Sequence, residues 1–209
     1  VEAGLWLRPQ YFPRPGETDW LETVKREVKT TRSAAGICDV STLGKIEIQG
    51  SDAATFLDRV YINMFSSLAV GKARYGMMLR EDGIVMDDGT TARFAPDRFF
   101  MTTTTVNAVK VMQHLEYCHQ WHWPELDVQM TSATDQWAQY SVAGPRSREL
   151  LAKLVDAPFD ISNEAFPYMA VSEITVCNGV RARIYRLSFS GELAYEIGVP
   201  ARYGDALIR

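Results

Sequence analysis

The spacing of apolar and polar positions changes several times along the chain, and each change marks an element. Over residues 19–33, Trp20, Leu21, Val24 and Val28 recur at helical spacing behind a Thr18 or Asp19 cap, which predicts a helix. Residues 44–49 alternate as Lys45, Ile46, Glu47, Ile48, the period-two signature of a half-buried strand. After Gly50 a helix is predicted over 51–60. Ser51 is its natural N-cap, Asp52 suits the positive end of the dipole, and Ala53, Phe56, Leu57 and Val60 form its buried stripe.

Residues 71–105 then read as an antiparallel meander. Short β-prone runs at 73–79 and 84–87 flank Arg80-Glu81-Asp82-Gly83, where Gly83 can supply the positive φ of a tight reversal. Residues 90–94 continue outward, Ala95-Pro96-Asp97-Arg98 turns, and 99–105 return as an aromatic and β-branched strand. Asp87-Asp88-Gly89 interrupts this sheet with poor strand formers, so a cause other than propensity is expected there.

An amphipathic helix follows over 107–118, with Ala108, Val109, Val111, Met112 and Leu115 expected inward. Strands are predicted at 126–131, 137–142, 170–176 and 181–187, the last two joined by an Asn178-Gly179 hairpin turn, and at 197–199. A final helix opens at Ala201. The unit strand–Gly–helix occurs twice. Aligning Gly50 with Gly144 places Leu57 on Leu151 and Val60 on Leu154, with Pro145 expected at the first helical position. Two related α+β lobes are therefore expected: 19–50 with 135–209, and 51–134, preceded by a Pro-rich extended arm over 1–18. The arm reads as a linker from a preceding domain, or alternatively as a lid or strap.

With 46% hydrophobic and 23% charged residues over 209 positions, the chain has the composition of a water-soluble globular protein with ample core. A net charge of −4 argues against a nucleic-acid partner, and no apolar run is long enough for a membrane span. Cys38, Cys118 and Cys177 are too scattered for a disulfide or zinc framework, which fits a reducing cytoplasm. The first residue is not Met and the last helix stops in mid-pattern, so a piece of a longer polypeptide is expected.

Candidate chemistry is confined to carboxylates. Asp87 and Asp88 sit beside Tyr75 in the meander, and Glu192 and Glu196 lie in a Gly-containing loop. Such groups serve as a general base or as acceptors for heterocycle N–H groups. The plainer reading, an edge-strand bulge at Asp87-Asp88, stands first on residue statistics alone. No Ser-His-Asp set or phosphate-cradling Gly motif occurs. His114, Cys118 and His122 would share a face of an uninterrupted helix. A tetrahedral zinc needs a fourth ligand, however, so a solvated helix end and no metal are expected.

Four segments in order, GICDVSTLGKIEIQGSDAATFLDRV, RYGMMLREDGIVMDD, YSVAGPRSRELL and RLSFSGELAYEIGVP, resemble the folate-binding aminomethyltransferase family typified by the glycine-cleavage T-protein. Within that family, MTTTT, LDVQMTSATDQWAQYSVAGPRSREL and the last segment are more similar to the alpha subunits of heterotetrameric sarcosine oxidases. The resemblance implies the aminomethyltransferase folate-binding fold, with tetrahydrofolate held by two α+β lobes and a third, β-rich domain beyond this chain. It places Asp88 on the family's essential aspartate, which orients and deprotonates the N5/N10 edge. Tyr75 falls on a folate-lining tyrosine, and Glu196 on the glutamate that accepts from the pterin amino group and ring N–H. Asp87 would point the other way along the strand in a structural role. Leu43 occupies a pocket position usually filled by Met, Thr104 one more often Asn, and Phe189 with Ser190 one more often Tyr with Thr.

The implied reaction passes the one-carbon unit of oxidised sarcosine to tetrahydrofolate, giving 5,10-methylenetetrahydrofolate and glycine. FAD, FMN and NAD would lie in other segments or in the other sarcosine oxidase subunits, since this chain has no dinucleotide fingerprint. A stand-alone aminomethyltransferase or a dimethylglycine-oxidase-type domain is the alternative within the family. A non-catalytic folate-fold scaffold or sensor is the alternative of another class.

Overall fold

The computed structural model describes residues 1–209 and divides into two compact units. One comprises residues 1–41, 138–168 and 173–209, and the other 42–137 with 169–172. No helix is long and apolar enough to cross a membrane.

In the first unit, β1 (Glu2–Ala3) and β2 (Trp6–Leu7) pair as a small hairpin, and α1 (Trp20–Ser33) follows with Asp19 as its cap. The expected extended arm is tied to α1. Glu17 accepts from Arg26 Nε at 2.6 Å and from Thr23 Oγ1 at 2.9 Å, and Arg26 also donates to the Phe12 carbonyl. The Arg26 guanidinium holds the Glu17 carboxyl down to about 2. β3 (Gly36–Asp39), where the sequence pattern predicts no strand, is the outer strand of a five-stranded antiparallel sheet. The others are β9 (Trp137–Ala143), β10 (Val171–Val176), β11 (Val180–Tyr185) and β12 (Ala194–Pro200), in the order β10-β11-β12-β9-β3. The helices α4 (Ser147–Leu151) and α5 (Gly204–Ile208) complete the unit.

The second unit is built the same way. β4 (Gly44–Gln49), α2 (Ala53–Val60), β5 (Lys72–Leu79), β6 (Val85–Ala95), β7 (Arg98–Thr103), α3 (Ala108–Tyr117) and β8 (Gln129–Ser132) give a sheet of order β5-β6-β7-β4-β8. Ile46, Ile48, Phe56, Leu57, Met78, Phe99, Met101, Val111 and Leu115 form its dry core. In each unit a strand leads through a glycine to a helix, a three-stranded meander follows, and its last strand returns beside the first. The fifth strand precedes this repeat in one unit (β3) and follows it in the other (β8).

Two glycines carry the repeat. Gly50 has φ +135° and Gly144 φ +122°. A Cβ at Gly50 would lie 2.0 Å from the Asp127 carbonyl oxygen, and one at Gly144 would lie 2.3 Å from that of Thr31. The carbonyls of the two glycines themselves accept the amide three residues on, Gly50 from Ala53 at 3.1 Å and Gly144 from Ser147 at 3.0 Å. Leu57 and Leu151, aligned by the sequence repeat, are both fully buried.

Several expectations are corrected. Residues 44–49 belong with the second unit rather than the first, because β4 pairs along its length with β7 and β8. Helix α2 starts at Ala53, with Ser51 bonded instead to Asp127, and α4 starts at Ser147, leaving Pro145 in the preceding turn. The Asn178-Gly179 reversal is a wider loop in which Cys177 (φ +51°) and Asn178 (φ +64°) are also left-handed. Asp156 opens it by accepting the amides of Asn178 and Gly179 at 2.9 and 2.8 Å.

Gly50→Ala and Gly144→Ala should each cost more than about 2 kcal/mol, from backbone strain plus the carbonyl clash. Gly179→Ala, with open space around its Cβ at φ +108°, should lose only about 1 kcal/mol. Urea denaturation midpoints measure all three.

Candidate functional site

The meander of the second unit places the first group of residues. β5 and β6 pair with Tyr75 opposite Thr90 and Met77 opposite Asp88, so Tyr75 and Asp88 are diagonal neighbours on one face. The Tyr75 hydroxyl donates to Asp88 Oδ2 at 2.7 Å. The hydrogen bond to the Asp88 carboxylate, helped by slight burial and the nearby acidic charges, raises the Tyr75 phenol above its ordinary value. Both side chains are exposed, Tyr75 by 47%, so the pair presents an oriented carboxylate outward.

Asp87 pairs with Met78 and points to the opposite, core face. It is buried, and accepts the Thr104 amide at 3.2 Å through Oδ2 and Asn107 Nδ2 at 3.0 Å through Oδ1. Asn107 Nδ2 also donates to the Met86 carbonyl at 3.2 Å. Gly89 completes the anomaly in this strand: a Cβ there would lie 2.0 Å from the Thr102 carbonyl oxygen of β7. Asp87-Asp88-Gly89 lies within β6, next to a bulge in the β5–β6 register opposite Met78 and Leu79. β6 is nevertheless an inner strand between β5 and β7 rather than an edge, and each of the three residues is answered by a separate contact. The nearby Tyr61 phenol is pushed well up, first by burial and then by the charges of Asp87 and Asp88.

Leu43 and Thr104 come together just past the Gly44–Thr103 pair that ends the β4–β7 ladder. Thr42 and Thr105, their neighbours, share a hydroxyl–hydroxyl bond of 3.1 Å. The Leu43 carbonyl accepts from Lys45 Nζ at 2.9 Å, and Lys45 is wholly buried. Thr104 is exposed at the start of the 3-10 turn Thr105–Asn107 that precedes α3.

Glu196 and Phe189 belong to the first unit. Glu196 lies in β12 opposite Tyr185, and Gln139 Nε2 of the neighbouring β9 donates to its Oε2 at 2.5 Å. Gln139 is buried, and its own amide and carbonyl are tied to Ser41 and Val40. Sequence reasoning missed Gln139, which nothing in the pattern of β9 singles out before its partner on β12 is known. Phe189 stands fully exposed in the loop before β12, where Ser188 Oγ donates to the Glu192 carbonyl at 2.7 Å.

The histidines are arranged otherwise than a continuous helix would place them. After α3 the backbone opens into a π-helical turn, Cys118–His122. His119 bonds the Leu126 carbonyl at 2.9 Å, and His114 Nε2 lies 3.6 Å from the Cys118 sulfur. Burial lowers His114 and raises Cys118. No group of three or more His, Cys, Asp or Glu is placed to hold a metal ion. His114 and His122 line an open cleft of about 350 Å³ with Arg80, Glu81, Asp82, Met86 and Tyr117, a lining that includes none of the candidate site residues.

With this geometry in hand, the likenesses to known proteins are informative. The family model of the GCVT N-terminal domain matches residues 1–209. Sarcosine oxidase subunit alpha of Rhizobium meliloti (strain 1021) is 59% identical over 208 residues, covering 99% of this chain and 21% of that protein. The aminomethyltransferase of Bacillus subtilis (strain 168) is 32% identical over 197 residues, covering 94% of this chain and 49% of that one. The chain therefore spans about a fifth of the sarcosine oxidase alpha subunits and half of the aminomethyltransferases it matches. The crystal structure of glycine cleavage system aminomethyltransferase T from Bartonella henselae superposes with a TM-score of 0.76 at 26% identity, over 89% of this chain and 47% of that one. A chain of the heterotetrameric sarcosine oxidase from Corynebacterium sp. U-96 shares the fold at a TM-score of 0.56 and 13% identity, over 87% and 85%.

Ionising Tyr75 would set a phenolate against the Asp88 carboxylate. Asp88→Asn should therefore move one phenol titration down toward the ordinary value of about 10. Phenolate absorbance against pH, compared between the two proteins, measures the shift; coincident curves would mean that the bond is not formed.

Proposed function

Because the chain belongs to the family of the GCVT N-terminal domain, we propose that it binds a reduced folate and transfers a one-carbon unit to it, as the folate region of a sarcosine-oxidising enzyme. The observation that carries the reading is the Tyr75–Asp88 pair, an outward carboxylate with a fixed orientation on a rigid sheet. The 59% identity to a sarcosine oxidase alpha subunit, against 32% to an aminomethyltransferase, favours oxidised sarcosine as the donor.

The donor set fits the substrate. The reacting edge of tetrahydrofolate presents N–H groups at N5 and N10, and the pterin presents an amino group and a ring N–H. Carboxylates are acceptor-only when ionised, and so match such edges. Asp88 would take the N–H edge and Glu196 the pterin donors, with Gln139 fixing the Glu196 carboxylate from β9. Tyr75 would hold Asp88 and line the folate, while Leu43 and Thr104 shape the wall beside it.

Tetrahydrofolate supplies two nitrogens that receive the methylene carbon of oxidised sarcosine, and glycine leaves carrying the two protons those nitrogens lose. The role of Asp88 in that exchange is to accept a folate N–H proton and return it to the departing amine. Tyr75 keeps the accepting oxygen aimed, so that orientation supplies part of the rate effect. Oxidation of sarcosine itself falls outside this chain, which lacks the Gly-rich phosphate loop that FAD or NAD binding in a dinucleotide fold requires.

In the intact protein, Asp88→Asn should lower methylene transfer by roughly 10²–10⁴-fold, the usual contribution of a general base. Sarcosine oxidation should continue and release formaldehyde in place of methylenetetrahydrofolate. Glu196→Gln should instead weaken folate binding by about 10-fold or more, the worth of a charge-assisted hydrogen bond. Product analysis with calorimetric folate titration reads both, and full transfer by the Asp88→Asn protein would refute the assignment.

A further inference from the structure

Asp87 stands next to the proposed base and takes no part in the reaction as written, yet it is the only buried carboxylate of the chain. It is only 5% exposed, and each oxygen has a separate partner. Oδ2 accepts the amide of Thr104, the residue at which the chain leaves β7. Oδ1 accepts Nδ2 of Asn107, which closes a ring back to β6 by donating to the carbonyl of Met86. Asn107 ends the 3-10 turn ahead of α3 and makes no capping bond with its side chain, so its amide is committed to this ring.

We infer that Asp87 and Asn107 form a positioning clamp that sets Asp88 and Thr104 relative to each other for folate. The argument is one of strand geometry. Successive residues of β6 point to opposite faces, so a bond that fixes Asp87 on the core face also fixes where Asp88 emerges on the other. The same carboxylate holds the backbone of Thr104. Two positions proposed to face folate, one on β6 and one just past the end of β7, are thereby referred to one buried carboxylate, the kind of support that keeps a site within the fraction of an ångström that catalysis requires. Asp87 and Asn107 are positioning residues: neither is placed against substrate.

The chemistry of the ring sets the variants. Asp87→Asn is isosteric, but it offers an NH₂ where Asn107 Nδ2 needs an acceptor. Asn107 can answer only by turning its oxygen inward, which abandons the Met86 carbonyl. Asn107→Ala removes the ring without changing any charge. That matters because the charge of Asp87 itself contributes to the raised Tyr75 phenol.

This inference rests on the folate reading above, and the test separates the two. In the intact protein, wild type, Asp88→Asn, Asp87→Asn and Asn107→Ala are compared for calorimetric binding of a stable reduced folate, methylene transfer and phenolate titration. The clamp predicts that Asn107→Ala stays folded, lowers transfer efficiency about 10- to 100-fold, and displaces the Tyr75 titration although no charge was removed. Asp87→Asn should do the same or more. A merely structural role would lower the melting temperature and leave the titration and the folate parameters of the folded protein at wild-type values; that result overturns the clamp while the wild-type protein still binds folate. Absence of folate binding and transfer in wild type overturns both readings.

Discussion

Each unit depends on a point where the chain leaves a strand for a helix through a glycine pressed against a carbonyl oxygen. At Gly50 and Gly144 the backbone is left-handed, and a neighbouring carbonyl occupies the place of a side chain. That approach sets the direction of α2 and α4 as they leave β4 and β9, and it lets Leu57 and Leu151 reach full burial. The strand before each glycine then receives the last strand of the following meander. Sheet order, helix placement and core follow from two residues without side chains.

On that frame the proposed acceptors lie in the sheets rather than in loops. Tyr75 and Asp88 lie on paired strands, and Glu196 with Gln139 on another pair in the other unit. Strand pairing fixes which residues share a face, so the Tyr75 hydroxyl and the Asp88 carboxylate need no induced order to meet. The buried partner of each arrangement is a polar side chain with satisfied bonds, Asp87 in one unit and Gln139 in the other. Such groups cost desolvation unless bonded, which makes their position specific.

Much of this was legible in the chain. Period-two and helical spacing located most elements, and the Gly50–Gly144 alignment found the repeat because both glycines answer the same steric demand. The direction of Asp87 followed from strand alternation. What was hidden depends on partners remote in sequence. β4 went with the wrong lobe because nothing local says that it pairs with β7 and β8. β3 was overlooked because Ile37, Cys38 and Asp39 are an exposed edge with no alternation to read. The loop at Asn178 is opened by Asp156, a residue 22 positions away. Gln139 became visible only once Glu196 stood beside it. The folate roles came from resemblance and not from residue statistics, which alone favoured an edge bulge at Asp87-Asp88.

The most direct test of the central claim is a crystal structure of the intact protein with a stable reduced folate bound. The account predicts the N5/N10 edge within hydrogen-bond reach of Asp88, with the Tyr75 bond kept, and the pterin amino group within reach of Glu196. A folate bound away from both carboxylates, or with Asp88 facing the glutamyl tail, would contradict it.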